Sequence, residues 1–399
     1  MRALGALTFR LGVCPGDRLY WPKSAGRFIP FRGPAEGFGA AVADCIDSHW
    51  ITDLVCLGDG RAYHRAAIAA ARRRGVTIWI IEHGYLRPGW ITIEPDGTGG
   101  RSHLPQAYRT RQRDWLQSGE STPDPGARHA GAGFATYAAL DIAYHAANFL
   151  APVTYPGYRH HALDTPLEEW RGWIGKALRL PARHRAKRRA LGEIQAHDGP
   201  VFVFPLQLET DYQIRDHAAH SVAETLRRVM DSFRATAPEN ARLIVKTHPL
   251  DNGLIRWDRI VAAGAQDGRV TFLDGGNLEA LIARARGVVT INSTVGLTAL
   301  LQGCPVKVLG RAVYDLPRLS HPGDLASFWA APMPPDASEI MAFEAFLKRS
   351  IQVPGTFDGP GAAIGAANVA AHILRQNPAP AAASAPRRAK AVDDAAAIA

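Results

Sequence analysis

Apolar positions along this chain alternate between short continuous runs and longer amphipathic stretches. In the first half, the apolar runs Asp53–Leu57 and Val76–Ile81 flank Arg61–Arg74, an Ala-rich helical stretch that ends at Gly75. A continuous apolar run is typical of a parallel strand that is buried on both faces. The pattern therefore predicts a strand–helix–strand unit.

The second half of the chain repeats this alternation. It contains predicted strands at Val201–Pro205, Arg242–Val245, Gly287–Ile291 and Val306–Leu309, and predicted helices at Asp216–Thr236, Asn277–Arg286 and Val295–Gln302. Strands that alternate with helices in two successive sets predict an α/β fold with two Rossmann-type domains facing a cleft.

The segments around these two sets are less regular. Residues 89–125 are rich in Gly, Pro and Arg, and we expect long loops there. Helices are predicted at Ala138–Phe149 and at Trp170–Ala190, and the second of these ends in the basic run Arg183–Arg189. The tail 378–399 is rich in Ala and Pro, a composition that predicts disorder.

Composition narrows the class of partner. The chain of 399 residues has a formal charge of +9, which permits a nucleic acid, an anionic membrane or an acidic substrate. Because no nucleic-acid motif is present, we expect no nucleic-acid partner. The four cysteines form no Cys-x-x-Cys pair, and no apolar stretch reaches about 18 residues. These features predict a cytoplasmic protein in a reducing compartment.

Three short polar segments follow predicted strands, where α/β sheets bind their ligands. They are Glu82-His83-Gly84, Lys246–Pro249 and Asn292–Gly296. The third opens a helix, and backbone N–H groups at the start of a helix form an anion site. An acid, a histidine and an anion cradle suit the transfer of an acidic sugar from a nucleotide.

Two of these segments bear groups that could bind a departing phosphate. Pro249 turns the chain out of its strand and presents His248, which could donate a hydrogen bond to developing charge. Ser293 and Thr294 could hold a phosphate or carboxylate beside the helix start. The alternatives are a loop histidine without a role and simple helix capping.

Two carboxylates could act in catalysis. Glu82 stands at a strand end and is a candidate general base or hydroxyl ligand, or else a surface acid paired with Arg87. Asp211 follows the strand Val201–Pro205 and could be a nucleophile or base, or the N-terminal cap of the helix that begins near Asp216. For Asp211, the alternatives are equally open from position alone.

Other clusters carry less information. His64 lies on the first turn of a helix, and His160 and His161 follow an aromatic loop. A zinc site would need further ligands at suitable spacing, and the sequence offers none, so we expect no metal. There is also no Walker loop and no Gly-x-Gly-x-x-Gly after a strand.

Many short segments recur in the order of a known protein family. They include Gly16-Asp17, Gly58–Arg65, Glu82–Pro88, Trp90–Thr92, Tyr158–His161, Pro205–Gln207 with Asp211 and Gln213-Ile214, Lys246–Pro249, Thr290–Leu297, Val306–Gly310 and Tyr314-Asp315. In these segments, which run from about residue 16 to 357, the chain resembles the capsular polysaccharide biosynthesis proteins of the KpsS/LipB type, which are bacterial β-Kdo transferases.

That resemblance implies a GT-B-like fold and a retaining transfer of Kdo from CMP-Kdo to a phosphatidylglycerol or lysophosphatidylglycerol acceptor. The product would begin the linker on which capsule is exported. It further implies no metal or other cofactor, a location at the inner face of the inner membrane, and other capsule biosynthesis and export proteins as partners. The alternatives are another CMP-sugar enzyme, such as a sialyltransferase, and a truncated, non-catalytic component of capsule assembly.

By the same resemblance, Asp211 is the expected nucleophile, Glu82 engages the acceptor or assists proton transfer, and His248 serves the donor. The expected substrate-binding residues are Gln207, Lys246, Asn292, Ser293, Thr294, Arg61, His64, Arg87, His160 and His161.

Pattern and resemblance together divide the chain into five segments. The first domain is expected to lack the family's opening strand–helix unit. The segments are an N-terminal acceptor domain (1–175), a basic inter-domain segment (176–195), a C-terminal CMP-sugar domain (196–357), a closing helix (358–377) and the disordered tail (378–399).

Overall fold

A computed structural model describes residues 1–115, 133–160, 165–265 and 267–376. The predicted tail 378–399 lies outside the described residues. The strands are β1 (Phe9–Gly12), β2 (Arg27–Pro30), β3 (Asp53–Leu57), β4 (Thr77–His83), β5 (Trp90–Pro95), β6 (Val201–Pro205), β7 (Arg242–Lys246), β8 (Val270–Leu273), β9 (Gly287–Thr290), β10 (Val306–Val308) and β11 (Gln352–Pro354).

Helices separate most of these strands, so the predicted α/β class is confirmed. They are α1 (Pro15–Leu19), α2 (Phe38–His49), α3 (Ala62–Arg73), α4 (Leu104–Trp115), α5 (Phe134–Asn148), α6 (Ala151–Thr154), α7 (Pro166–Leu178), α8 (Leu180–Gln195), α9 (Tyr212–His217), α10 (Val222–Thr236), α11 (Trp257–Gly264), α12 (Leu278–Arg284), α13 (Thr294–Leu301), α14 (Leu325–Ala330), α15 (Ala337–Ser350) and α16 (Ala362–Gln376).

The C-terminal sheet is five-stranded and parallel throughout, in the order β10-β9-β6-β7-β8. The chain starts in the middle at β6, moves outward to β8, and then returns to the other side of β6 for β9 and β10. The order of the strands thus reverses between β6 and β9. In sheets of this kind, the crevice beside such a reversal is where ligands bind.

The N-terminal sheet is smaller and mixed. Its order is β11-β5-β4-β3, with β3 and β4 parallel and the other pairs antiparallel. Helix α3 connects β3 to β4, which confirms the predicted strand–helix–strand unit. A separate pair of parallel strands, β1 and β2, precedes this sheet.

The prediction of long loops over residues 89–125 is wrong for the part that the structure describes. Strand β5 and helix α4 both fall inside this range, and residues 116–132 of it lie outside the described residues. The first five residues of β5 are buried. Strands β4 and β11 pair with it on both sides, and residues of α16 pack against Ile91 and Ile93. The short apolar run of β5, closely bordered by Gly and Pro, obscured the strand pattern.

Two predicted helices are each divided in the structure. The stretch Trp170–Ala190 is covered by α7 and α8, with a break at Arg179 where Pro181 opens the second helix. The stretch Asp216–Thr236 is likewise covered by α9 and α10, and the Ser221 side chain caps α10 by accepting a hydrogen bond from the Glu224 N–H.

The C-terminal end of the described chain returns to the N-terminal sheet. Strand β11 pairs antiparallel with β5, bringing Val353 opposite Ile91, and α16 packs on both strands. The predicted segment 196–357 thus includes a strand of the other sheet, and its boundaries remain a prediction. Within the described ranges, no helix is both long enough and apolar enough to cross a bilayer.

Candidate functional site

The loops after β6 and β9 are tied together at the point where the strand order reverses. The Gln207 side-chain amide donates to Asn292 Oδ1 at 2.8 Å, and the Asn292 backbone N–H donates to Gln207 Oε1 at 3.1 Å. The Asn292 amide also donates to the Gln213 carbonyl at 3.1 Å. These two predicted binding residues therefore use much of their hydrogen-bonding capacity to hold the two loops and the start of α9 in place.

Helix α13 begins beside this junction. Ser293 is its N-cap, and the Ser293 Oγ accepts a hydrogen bond from the Val295 N–H at 3.2 Å. The Tyr314 hydroxyl donates to the Ser293 carbonyl, and a side chain at Gly296 would collide with that hydroxyl. The capping interpretation is therefore confirmed, and Thr294 is the first residue of the helix. Anion binding at this helix start stays a prediction.

His248 follows β7 and is half-buried. Burial, together with nearby Arg87, Lys246 and Lys176, lowers the pKa of His248 to about 4. Its Nδ1 accepts a hydrogen bond from the Leu250 N–H at 3.1 Å. The ring is therefore neutral near neutral pH and carries its proton on Nε2. Such a ring can donate one hydrogen bond to a ligand.

Lys246 is the last residue of β7 and is buried. Burial lowers the pKa of the Lys246 ammonium, and nearby Asp274 opposes this effect. Asp274 also accepts hydrogen bonds from Arg183 on α8 and from the Thr247 hydroxyl. Lys246 thus contributes positive charge beneath the loop that carries His248.

Asp211 is the N-cap of α9, and its Oδ1 accepts a hydrogen bond from the Gln213 N–H at 2.9 Å. Burial raises the pKa of Asp211, whereas that hydrogen bond and the Arg87 charge lower it. The capping interpretation is therefore confirmed. Capping uses one of the two carboxylate oxygens, and the role of Asp211 as nucleophile stays a prediction.

Glu82 approaches the same region from the end of β4. Loss of solvent around its carboxylate raises the pKa of Glu82 to about 7, and the nearby negative charges of Asp59 and Asp211 add to this rise. Contacts with the Thr98 and Gln213 side chains oppose it. A carboxyl group with a pKa near neutrality can both accept and release a proton under physiological conditions.

Arg87 links the two carboxylates electrostatically. Its charge acts on Glu82, Asp211 and His248, although the side chain itself is exposed. Its Nε donates to the Gly84 carbonyl at 3.1 Å. An exposed guanidinium near two acids could bind a carboxylate or phosphate of a ligand.

The loop after β3 packs against Glu82. Gly58 has a φ of 72°, and a side chain there would begin 3.3 Å from the Glu82 carboxylate. The His64 Nδ1–H donates to the Gly58 carbonyl at 2.8 Å, and burial lowers the pKa of His64 to about 4. His64 therefore positions this loop as a neutral ring, and Arg61 is the N-cap of α3 at the end of the loop.

Charged pairs join this loop to α9 of the C-terminal unit. Asp216 accepts hydrogen bonds from Arg65 and from Arg101, with shortest distances of 2.8 and 3.0 Å. Arg101 also lies 3.2 Å from Asp59, which is buried. The two halves of the site are thus held against each other by a shared network of ion pairs.

The predicted residue His160 contacts helix α5. His160 is exposed, and its ring lies 5.9 Å from that of His145 on α5. His161 falls outside the described residues. Within the part of the chain that the structure describes, no group of three or more His, Cys, Asp or Glu side chains is arranged to hold a metal ion.

The structure also adds residues that sequence reasoning did not select. Asp59 and Gln213 lie within segments that carried the family resemblance, so their positions were available as a signal. Thr98 follows β5 in a stretch that was expected to be loop, and no local pattern singles it out. Their role becomes visible only when the two sheets bring them to Glu82.

These features define an α/β protein whose two sheets meet at a polar site built from strand ends. The chain belongs to the capsule polysaccharide biosynthesis protein family, because the model of that family matches residues 52–357. This confirms the family resemblance that the short segments indicate.

Comparison with known proteins gives the same family. The chain is 32% identical to the capsule polysaccharide modification protein LipB of Neisseria meningitidis, over 90% of this chain and 87% of that protein. It is 28% identical to the capsule polysaccharide export protein KpsS of Escherichia coli, over 90% and 92%. Among solved structures, the β-Kdo 2,7 transferase of Thermosulfurimonas dismutans KpsC superposes with a TM-score of 0.45 at 14% identity, covering 88% of this chain and 92% of that one.

Proposed function

We propose that this protein is a glycosyltransferase of capsule biosynthesis, which transfers Kdo from CMP-Kdo to a phosphatidylglycerol-type lipid with retention of configuration. Family membership supports a role in capsule biosynthesis. The observation that carries the proposal is the pairing of Glu82, with a pKa of about 7, and Asp211 around Arg87. These acids come from opposite sheets and meet beside a neutral histidine and a helix start.

The donor would occupy the C-terminal side of this site. The Nε2–H of His248 and the N–H groups at the start of α13 would bind the phosphate of the nucleotide. The exposed guanidinium of Arg87 would pair with the sugar carboxylate. Because His248 is already neutral, it would stabilise the departing phosphate by hydrogen bonding and would not transfer a full proton to it.

Retention requires two displacements at the anomeric carbon. In the first, an Asp211 carboxylate oxygen would form a bond to that carbon while the bond to the phosphate breaks, and CMP would leave with the electron pair. In the second, the acceptor hydroxyl would attack the same carbon and release Asp211. Glu82 in its ionised form would take the hydroxyl proton and pass it to solvent.

The decisive experiment compares two aspartates that cap helices in the same way. Asp211→Asn keeps a good N-cap at α9 but removes the nucleophile. Asp336→Asn makes the same change at α15, where Asp336 caps the helix through Ser338 and Glu339. With CMP-Kdo and a fluorescent lysophosphatidylglycerol, we expect Asp211→Asn to lose roughly 10³-fold or more in transfer, and Asp336→Asn to stay near the native rate.

Three results decide among the alternatives. Equal activity in the two variants would remove Asp211 from the role of nucleophile. Product formation with CMP-sialic acid in place of CMP-Kdo would favour the sialyltransferase alternative. If the native protein forms no product and does not bind CMP, the transferase hypothesis fails and a non-catalytic role in capsule assembly is favoured.

A further inference from the structure

Glu94 is a buried acid that no sequence pattern singled out. It lies on β5 and is 2% exposed. Strands β4 and β5 pair antiparallel, with Thr92 opposite Glu82. Residues that stand opposite each other point to the same face of a sheet, and so do residues two apart on one strand. Glu94 is therefore the diagonal neighbour of Glu82 on one face of the N-terminal sheet.

Two hydroxyl groups hold the Glu94 carboxylate. The Tyr85 hydroxyl donates to Glu94 Oε1 at 2.6 Å, and the Ser102 hydroxyl donates to Glu94 Oε2. Both hydroxyls also accept a hydrogen bond. The Gly99 N–H donates to the Tyr85 oxygen at 2.8 Å, and the Leu104 N–H donates to the Ser102 oxygen at 3.0 Å. Each carboxylate oxygen thus has a donor, and each donor fixes a backbone N–H farther along the chain.

These bonds fix residues 97–102, a segment that we call the glycine loop. It lies between β5 and α4, and its sequence is Gly97-Thr98-Gly99-Gly100-Arg101-Ser102. The bond from Gly99 to Tyr85 holds the middle of the loop, and the bond from Ser102 to Glu94 holds its end. The loop is therefore attached to β5 through the side chain of Glu94.

The glycine loop packs against α9 of the C-terminal unit. A side chain at Gly99 would collide with Gln213, and a side chain at Gly100 would collide with His217. Because neither position carries a side chain, the loop backbone approaches α9 directly. Asp211 is the N-cap of α9, so the loop borders the helix that the proposed nucleophile caps.

The same loop brings Thr98 to Glu82. Thr98 is fully buried, and no atom within the described ranges forms a well-aligned hydrogen bond with its hydroxyl. Burial raises the pKa of Glu82 to about 7, and the Thr98 hydroxyl opposes this rise. A neighbouring hydroxyl lowers the pKa of an acid because it stabilises the charged form as a donor. The position of the glycine loop therefore affects how readily Glu82 releases its proton.

We propose that Glu94 is a positioning residue of the candidate site, which holds the glycine loop against Glu82 and α9. It acts through the loop and not on a substrate, since both of its carboxylate oxygens are already bonded within the protein. The consequence for catalysis rests on the proposed function, in which Glu82 takes the proton of the acceptor hydroxyl. The hold on the loop itself does not depend on that function.

Charged and titratable groups face Glu82 from the segments packed around it. They are Asp59 on the loop after β3, Tyr85 and Arg87 on the loop after β4, Glu94 on β5 and Asp211 at the start of α9. Loss of a hydrogen-bond donor to a carboxylate raises its pKa. If the glycine loop moved away, the pKa of Glu82 would therefore rise above about 7, and ionised Glu82 would form only at higher pH.

Hydrogen–deuterium exchange tests the hold on the loop without any catalysis. In Glu94→Gln and in Tyr85→Phe, the amide hydrogens of the glycine loop and α9 should exchange about tenfold faster or more than in the native protein. Glu339→Gln and Tyr108→Phe are the matched controls, because Tyr108 donates to Glu339 at 2.8 Å in a second buried pair. Exchange of the glycine loop and α9 should be unchanged in both controls.

The pH dependence of transfer tests the consequence for the site. With CMP-Kdo and a lysophosphatidylglycerol acceptor, the midpoint of the rise in transfer rate should move to a pH about one higher in Tyr85→Phe. Thr98→Val, which removes the hydroxyl and leaves the loop in place, should move the midpoint in the same direction. At alkaline pH both variants should reach within about threefold of the native rate, because Glu82 itself is intact. Tyr108→Phe should keep the native midpoint.

Two results would overturn the inference. One is native exchange in the glycine loop and α9 of both Glu94→Gln and Tyr85→Phe. The other is a loss of transfer in Tyr85→Phe that is equal at every pH, with the midpoint unchanged, because poor folding alone produces that result. If the native protein transfers no sugar, the proposed function fails and Glu94 has no reaction to serve. The exchange measurement would then still decide whether Glu94 holds the loop.

Discussion

The two sheets contribute different kinds of chemistry to their shared site. From the C-terminal sheet come a neutral histidine, a buried lysine and a helix start, all suited to the proposed anionic nucleotide. From the N-terminal sheet comes Glu82, whose pKa is raised to about 7 by loss of solvent. Where titratable groups on two sides of a site are driven to different protonation states, acid–base roles can be divided between the sides.

Their construction differs as well. The C-terminal sheet is formed by one continuous stretch of chain, and its parallel strands direct all their ends to the same edge. The N-terminal sheet obtains its edge strand β11 from a segment more than two hundred residues away from β5 in sequence. The side proposed to bind the nucleotide is thus built locally, whereas the side proposed to transfer the proton is closed by a distant segment. The two sides should therefore respond differently to mutation.

The largest expected effect tests the proton-transfer side. Only ionised Glu82 can accept the acceptor's proton, so transfer should rise as pH increases through about 7 and then level off. Glu82→Gln should lower the transfer rate about 10²- to 10⁴-fold and abolish this rise of the rate with pH. Steady-state rates between acidic and alkaline pH would measure both effects.

The control for this prediction is a second buried carboxylate. Glu339 is buried on α15 and accepts a hydrogen bond from Tyr108 at 2.8 Å. Glu339→Gln should leave the shape of the pH profile unchanged. An unchanged profile in Glu82→Gln would show that another group titrates, and the comparison of the two sheets would lose its chemical basis.

A somewhat smaller effect should appear on the nucleotide side. His248→Ala removes the Nε2–H donor and should lower transfer about 10²-fold. Because the pKa of His248 is lowered to about 4, the rising limb near 7 should persist in this variant. His220→Ala, at a half-buried histidine that pairs with Glu224, is the control. If the rise of the transfer rate near pH 7 disappeared in His248→Ala, the titrating group would lie on the His248 side. The proposed roles of the two sides would then be reversed.

The same difference between the two sheets explains how much of the structure could be predicted from the sequence. Four strands of the parallel sheet were predictable because each is a continuous apolar run followed by polar residues, as at Lys246 and Asn292. Strand β8 (Val270–Leu273) was not predicted, because Thr271 interrupts its short apolar run. The mixed sheet was only partly predictable, because antiparallel pairing of β5 with β11 depends on contacts between distant segments. For the same reason, sequence identified Glu82 as a candidate but not Thr98 or Gln213, which contact it only after the sheets pack.

Gly296 offers a test of the local architecture on the nucleotide side. Gly296→Ala would place a methyl group against the Tyr314 hydroxyl, which is buried and bonded to the Ser293 carbonyl. We expect a loss of about 1–3 kcal/mol in the free energy of unfolding, with a raised KM for the donor. Denaturant unfolding and donor titration would measure these.

Gly303→Ala provides a comparison for this change. Gly303 has open space around it but a φ of 74°, so its cost should come from backbone strain and be about 1 kcal/mol. The KM for the donor should not change. An equal rise in KM in both variants would mean that general destabilisation, and not the start of α13, controls donor binding.

The smallest expected effect concerns the ion pairs that join the two sides. Arg65 and Asp216 lie 2.8 Å apart, but the arginine side chain is 46% exposed, so solvent screens much of their attraction. Arg65→Ala should lower the free energy of unfolding by about 1 kcal/mol or less. Arg101 also pairs with Asp216, and it would retain part of the contact. Arg74→Ala, which breaks a pair with Asp47 inside the N-terminal unit, is the control and should leave transfer unchanged. A double-mutant cycle between Arg65 and Asp216 that gave a coupling well above 1 kcal/mol would contradict the expected screening. It would mean that the two sheets depend on this junction more strongly than its exposure implies.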